Sequence, residues 1–294
     1  MAANNTAGTS RKRSYWLDVL KRFSRHRLAM AGLAIILVEI VLVLVLPGAL
    51  RLDPYSMDAI GGFGVAPSAA HCLGTDEVGR DVFSRIVYGG RTSLYVGLLS
   101  ALISLIIGVP LGVLAGYYQG FAGVLVMRLA DVFMSVPSMI LVLVLVSVVG
   151  PSIESVTIVI GVMGWPQFAR QIYGNVLSIR EKDYLQAAKA IGERNGRIIT
   201  KYILPNSFAP VIITFTFSIA SAILQESGLS FLGMGVQPPQ ASWGNIMYAA
   251  QSITILSRKP WLWVPAGLAL LITVLSINFF GDGLRDALDP KTKL

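Results

Sequence analysis

Six apolar runs, at about 28–47, 94–117, 124–149, 154–173, 207–232 and 262–281, alternate with polar stretches along the chain. Each is close to the ~20 residues a helix needs to cross ~30 Å of hydrocarbon. The pattern therefore predicts an all-α integral membrane protein with six transmembrane helices. A basic stretch from Arg11 to Arg27 precedes the first run, as in a signal peptide. The run is too long for one and no A-x-A site follows it, so it reads as a retained signal anchor. The predicted organisation is a basic segment at 1–27, a transmembrane domain at 28–290 containing a polar loop at 175–206, and a tail at 291–294.

Composition sharpens this. Hydrophobic residues make up 54% of the 294 and charged residues 14%, against ~25% charged in soluble domains; the mean hydropathy is +0.66. The net charge of +8 comes from Lys and Arg that flank apolar runs and do not interleave with aromatics. That arrangement fits membrane lipid or a soluble partner and argues against nucleic acid. Eighteen of the 24 basic residues fall on the side that holds the N-terminus, the 175–206 loop and the C-terminus. By the positive-inside rule both termini and that loop are cytoplasmic. The two longer outer segments, about 48–93 and 233–261, are rich in Gly, Pro and Trp.

Gly108, Pro110, Gly112 and Gly116 interrupt the second run, Pro137 the third, and Gly161, Gly164 and Pro166 the fourth. Small residues admit close helix packing and Pro kinks helices, so this concentration predicts helices that line a pathway or move. Acidic residues at membrane depth are few. Glu39 needs a protein or aqueous neighbour, Asp131 stands three residues from Arg128 at ion-pair spacing, and Glu226 nears the outer end of the fifth run. One cysteine, Cys72, and two histidines exclude an internal disulfide and the usual metal motifs. No G-x-x-x-x-G-K-[ST] loop occurs, so any ATP and Mg must be bound by a partner. No catalytic constellation stands out.

The loop from Arg180 to Pro205 is the most informative polar stretch. Tyr184 to Ile191 is helix-forming, Gly192 permits a turn, and Arg197 to Tyr202 predicts a second short helix ended by Pro205. Leu185, Ile191, Ile198 and Ile199 offer an apolar face ringed by basic residues. Such a knob either docks in a groove of a soluble subunit or lies on lipid headgroups.

Gln186-Ala187-Ala188, Gly192 and Tyr202-Ile203-Leu204-Pro205, at their spacing, resemble the E-A-A-x3-G-x9-I-x-L-P loop of permease subunits in binding-protein-dependent ABC importers. Gln186 replaces the family's Glu and Tyr202 its Ile or His. Leu73-Gly74-Thr75-Asp76, Gly79 to Arg85, Tyr88 to Arg91, Leu229 to Gly233, Ser242-Trp243-Gly244 and Gly281 to Pro290 narrow the resemblance to the second, shorter-loop permease of the dipeptide, oligopeptide and nickel group. The resemblance implies a type I importer permease fold in a bacterial inner membrane. It also implies a second homologous permease, two ABC ATPase subunits and an extracytoplasmic solute-binding protein as partners. Gln186, Ala187, Ala188, Gly192, Leu204 and Pro205 are then the coupling residues, and peptides or related small solutes the cargo. The residues themselves support a short interfacial helix at Asp81 to Tyr88, outer-loop ion pairs among Asp76, Arg80, Asp81 and Arg85, and capping of the last helix by Asp282, Arg285, Asp286 and Asp289. An autonomous ion-coupled carrier and a membrane anchor that merely recruits a soluble protein are the competing readings.

Overall fold

A computed structural model describes residues 15–58 and 62–289; the start of the basic segment, to residue 14, and the 291–294 tail lie outside them. Two helices open the chain, α1 (Tyr15–Arg25) and α2 (Arg27–Ala49), followed after a long loop by α3 (Val82–Tyr118). At 37 residues and 1.5 Å per residue, α3 is about 55 Å long, well beyond the hydrocarbon thickness. The separate interfacial helix expected at Asp81 to Tyr88 does not exist: those residues are the first turns of α3. Asp81 begins the helix because its carboxylate accepts from the Ser84 backbone N–H at 2.7 Å and from the Ser84 hydroxyl at 2.8 Å, satisfying orphan donors at the first turn.

The third expected span is not straight. Helices α4 (Gly120–Ser135) and α5 (Ser138–Val149) meet at 89°, because Pro137 forces the preceding residue out of the helical region and Val136 sits at φ −103°, ψ 138°. The fourth is divided between α6 (Ile153–Met163) and α7 (Trp165–Arg180), with the break at Gly164 and Pro166 in the first turn of α7. After the polar loop come α8 (Asp183–Ala190), α9 (Asn195–Ile198) and α10 (Leu204–Phe231). Then α11 (Trp243–Met247) and α12 (Ile253–Arg258) lie in the outer segment before α13 (Val264–Leu288). Among the described residues four helical runs are long and apolar enough to cross a membrane alone, and the bent α4 and α5 pair makes a fifth. The sixth crossing expected at 154–173 needs α6 and α7 together.

Helix α3 is central, with α2, α4, α6, α7, α10 and α11 packed against it, while α13 joins α1, α2 and α10. Gly108, Gly112 and Gly116 form a stripe four residues apart on the face that meets α7. A Cβ at Gly112 would lie 2.9 Å from the Ala169 Cα, and one at Gly116 2.8 Å from the Val176 Cβ. Above this stripe the hydroxyls of Ser100 and Ser104 donate to the Thr157 and Gly161 carbonyls of α6 at 2.9 and 2.7 Å. Further along, Gly97 admits Ile223 of α10. Small residues and cross-helix hydroxyls are what bind helices in lipid, where burial of apolar surface no longer drives association.

The ends of the bundle differ. One gathers α1, the C-terminal end of α13 and the polar loop: Val19 and Phe23 pack with Ala287, Leu288 and Ile213, and the Tyr117 hydroxyl donates to Asn195 Oδ1 at 2.7 Å. Rather than simply capping the last helix, Asp286 lies 3.5 Å from His26, and Arg22 donates to the Asp289 carbonyl at 3.2 Å, tying the two terminal regions together. The opposite end holds the loops 50–81 and 232–263. Substituting Gly112→Leu is expected to force α3 from α7 and destabilise the protein by about 1–3 kcal/mol or more; a lowered unfolding midpoint of the detergent-solubilised protein, relative to Gly174→Ala, whose Cβ meets open space, checks this.

Candidate functional site

The polar loop folds into a compact knob against the ends of α3 and α7. Leu185 and Ile198 are fully buried, packed with Val113, Tyr117, Ile172 and Val176. Those two side chains are therefore part of the protein's own core, and the apolar docking face expected from Leu185, Ile191, Ile198 and Ile199 shrinks to Ile191, which is 81% exposed. Gly192 makes the turn at φ +79°, a conformation in which glycine carries no Cβ penalty. There the Gly192 and Glu193 N–H groups return to the Lys189 and Ala188 carbonyls at 3.0 and 3.1 Å, closing the end of α8. Gln186, Ala187 and Gly192 face outward, whereas Ala188 is buried beneath them. Gln186 Nε2 donates to the Arg180 carbonyl at 3.3 Å, so the residue that replaces the family's Glu braces the knob from inside the chain. Lys189 lies 5.5 Å above the Tyr117 ring; burial lowers its pKa and the nearby Arg180 adds to that.

Pro205 does not end the second short helix. It is the second residue of α10, directly after the single π-helical turn Ile199–Ile203 that joins α9 to α10, the kind of local adjustment by which a helix accommodates a proline's missing N–H. Asn195 to Phe231 is thus one continuous 37-residue helix, about 55 Å from the knob to the opposite end. Leu204 and Pro205 are exposed near its base.

At the far end of that helix Glu226 is fully buried. The Ser230 and Ser93 hydroxyls donate to its carboxylate at 2.7 and 3.0 Å, with Ser227 at 3.4 Å. Ser93 also accepts from the Trp243 N–H at 3.3 Å, and Ser230 from the Val236 N–H at 3.0 Å. One carboxyl group therefore fastens α3, α10 and the start of α11. The sequence places Glu226 at membrane depth but hides its shell, because Ser93 is 133 residues away. Glu39 meets α13, with the Thr273 hydroxyl 3.0 Å from both carboxylate oxygens. Asp131 takes the expected partner Arg128 at 3.7 Å and also pairs with Arg170 of α7.

The outer loop is an ion-pair assembly, as its charges predict. Asp76 pairs with Arg80 at 2.7 Å and with the buried Arg85 at 3.5 Å. Arg85 reaches on to the Pro239 carbonyl and Asn245. His71, which the sequence reading passes over, lies 2.9 Å from Asp81 and 3.3 Å from Asp58. The hydrogen bond with Asp81, aided by Asp58, raises its pKa above the ordinary 6.5.

Two outcomes follow from these networks. Glu226→Leu leaves the Ser93 and Ser230 hydroxyls without an acceptor and is expected to cost about 2–3 kcal/mol, with Glu226→Gln, which retains an acceptor, lowering the unfolding midpoint less. For His71, a raised folded pKa means its contribution is complete below about pH 6.5 and is lost as the pH climbs through the raised value. Hydrogen exchange in residues 62–81, corrected for intrinsic rates, is expected to quicken as the pH rises above about 6.5 and through the raised pKa. In His71→Gln that dependence disappears.

Known proteins bear the same pattern. The family described as "Binding-protein-dependent transport system inner membrane component" matches residues 108–294, and the "N-terminal TM domain of oligopeptide transport permease C" matches residues 14–60. The chain is 40% identical to the dipeptide transport system permease protein DppC of Alkalihalophilus pseudofirmus, over 95% of this chain and 91% of that protein. It is 37% identical to the glutathione transport system permease protein GsiD of Pectobacterium atrosepticum, over 96% and 93%. It is also 37% identical to the oligopeptide transport system permease protein OppC of Bacillus subtilis, over 95% and 91%. Among solved structures, an inward-facing form of the MetNI methionine ABC transporter superposes with a TM-score of 0.60 at 20% identity, covering 70% of this chain and 98% of that one. The folds therefore agree, and the bundle around α3 is that of a type I ABC importer permease. By sequence over nearly its whole length, and by a fold organised around the same core, the chain belongs to the family of inner-membrane permease components of binding-protein-dependent transport systems.

Proposed function

We propose that this permease moves peptides inward, as one of two permease subunits driven by two ABC ATPases and supplied by an extracytoplasmic solute-binding protein. The 37–41% identity to dipeptide, glutathione and oligopeptide permeases supports the cargo class. The end of the bundle that holds both termini and the 175–206 knob is the cytoplasmic one, in keeping with its excess of Lys and Arg. The chain supplies no ATPase site of its own; ATP and Mg belong to the partner subunits.

One observation supports the mechanism: α9, the second helix of the knob, runs without a break into α10, and α8 is closed onto it through the Gly192 turn. Leu185 and Ile198 lock the knob onto α3 and α7 from within, while Gln186, Ala187, Ile191 and Gly192 project from it. ATPase movement at the knob is delivered along α10 to the Glu226 cluster, where the outer segment is fastened. Gln186, Ala187, Gly192, Leu204 and Pro205 form the contact and the base of the lever, and Ala188 seats it.

A Cβ at Gly192 would meet open space within this chain, so substitution there acts through backbone strain at φ +79° and through bulk offered to a partner. Affinity purification from the native membrane is expected to recover a second permease and P-loop ATPases with the wild-type chain. With Gly192→Trp the ATPases are expected to be lost while the second permease remains. Recovery of the chain alone in both cases would refute the assembly.

A further inference from the structure

Three neighbouring cavities share lining residues on the face formed by the α4–α5 bend, α6, α7 and α10. The largest, about 440 Å³, is bordered by Gln167 of α7 and by Ser221 and Gln225 of α10. A second of about 330 Å³ continues from Gln167 along α7 past Gln171 and Asn175. A third of about 30 Å³ reaches inward from Gln167, Ser221 and Gln225 to Ser218. Gln167, Gln171 and Asn175 stand four residues apart on α7, and Ser218, Ser221 and Gln225 at i, i+3 and i+7 on α10, so each set shares one helix face.

Such a face is costly against hydrocarbon, and it points into open cavity volume. Its polar groups are amides and hydroxyls, each side chain able to donate and to accept. Arg170, the one charged side chain in the lining of these three cavities, is paired with Asp131. Gln225 Nε2 donates to Ser221 Oγ at 3.2 Å along the track. Asn175 lines the second cavity, and its Nδ2, buried beneath the surface, has no hydrogen-bond partner. From Gln167 to Asn175 the track rises about 12 Å, the length of three to four extended residues.

We propose that this neutral amide and hydroxyl track is the surface that carries the peptide through the membrane, hydrogen-bonding main-chain N–H and C=O groups and leaving side chains unread. It rests on the peptide-importer reading above. Side-chain amides match the one chemical group every peptide repeats, and the absence of an unpaired charge on the track lets acidic and basic cargo pass alike.

Placing a charge on the track tests this. The complete transporter, in proteoliposomes with its binding protein and ATP, is assayed with trialanine, alanyl-glutamyl-alanine and alanyl-lysyl-alanine. Gln167→Lys is expected to raise the uptake ratio of the glutamyl over the lysyl peptide about tenfold above the wild-type ratio, the effect of one uncompensated charge pair. Comparison with wild type cancels selection by the binding protein. An unchanged ratio overturns the track while leaving the peptide importer standing; no uptake of any of the three by wild type overturns both. A second measurement covers a variant that fails to assemble. On a Cys72→Ser background, Gln171→Cys is expected to react with a charged thiol reagent several-fold more slowly when trialanine and ATP are present, whereas Leu42→Cys, on the exposed face of α2, stays unreactive. Failure of Gln171→Cys to react, or reaction that trialanine does not slow, overturns the proposal.

Discussion

Glycines at 108, 112 and 116 bring the backbone of α3 against that of α7, and the other elements take their places from that approach. A side chain at any of the three would meet α7 backbone or the root of a side chain, and neither can yield as the tip of a flexible residue can. Lipid offers no hydrophobic reward for pairing helices, so the approach is held by dispersion over a closely fitted surface and by the Ser100 and Ser104 bonds to α6. With α7 fixed to α3, the start of the polar loop is fixed too. Leu185 and Ile198 can then bury themselves in the corner that Val113, Ile172 and Val176 form. The exposed crest of the knob is thus built on the same glycines that organise the bundle some turns away.

A lever needs a stiff arm and an anchored load, and α10 has both. Pro205 is carried inside the continuous helix because the π turn just before it adjusts the backbone around the missing N–H. Pro210, one turn later, removes a bond that a membrane helix elsewhere would miss, but there Ile213 and Ala209 are held by α1 and α13. At the opposite end the load is a polar lock. Glu226 is enclosed by hydroxyls from α3 and α10, and the same hydroxyls hold the backbone of the outer segment at Val236 and Trp243. A buried network of this kind is favourable only when every member is satisfied, so it resists partial opening and favours a change of state as a whole.

Hydrophobic runs marked the apolar part of each span but not the polar turns by which α3 and the α9–α10 helix extend beyond it, and the motifs pointed to the family. What periodicity could not supply was the identity of neighbours. The apolar face of the 185–198 region was legible, but a pattern shows only that a face is covered and not by what; the chain's own helices cover it. Pro205 was equally consistent with the end of one helix and the beginning of the next. The choice depended on α9 and α10 being joined through a π turn, for which no local signal exists. Pro137 marked an interruption, yet its 89° bend depends on the space left by α7 and α10. The serines around Glu226 are ordinary residues in the sequence and become a site only when α3 and α10 cross.

Several charges among the described residues are held in ion pairs, and their placement bears on how the protein works. Asp131 is held between Arg128 and Arg170, Asp76 between Arg80 and Arg85, His71 between Asp58 and Asp81, and Glu193 faces Arg197 and Lys201. The Asp131 cluster engages Arg170, which lines one of the cavities, whereas the other pairs brace the outer loop and the knob. A carrier that draws energy from an ion gradient keeps ionisable groups within reach of its path so that they can exchange their ion. Here the groups along the α7 and α10 face are amides and hydroxyls, and the carboxylate deepest in α10 is sealed among serines. In the proposed mechanism, energy entering at the knob needs no titrating group on the route, only a stiff helix and, on the proposed track, a surface indifferent to the charge of what it carries.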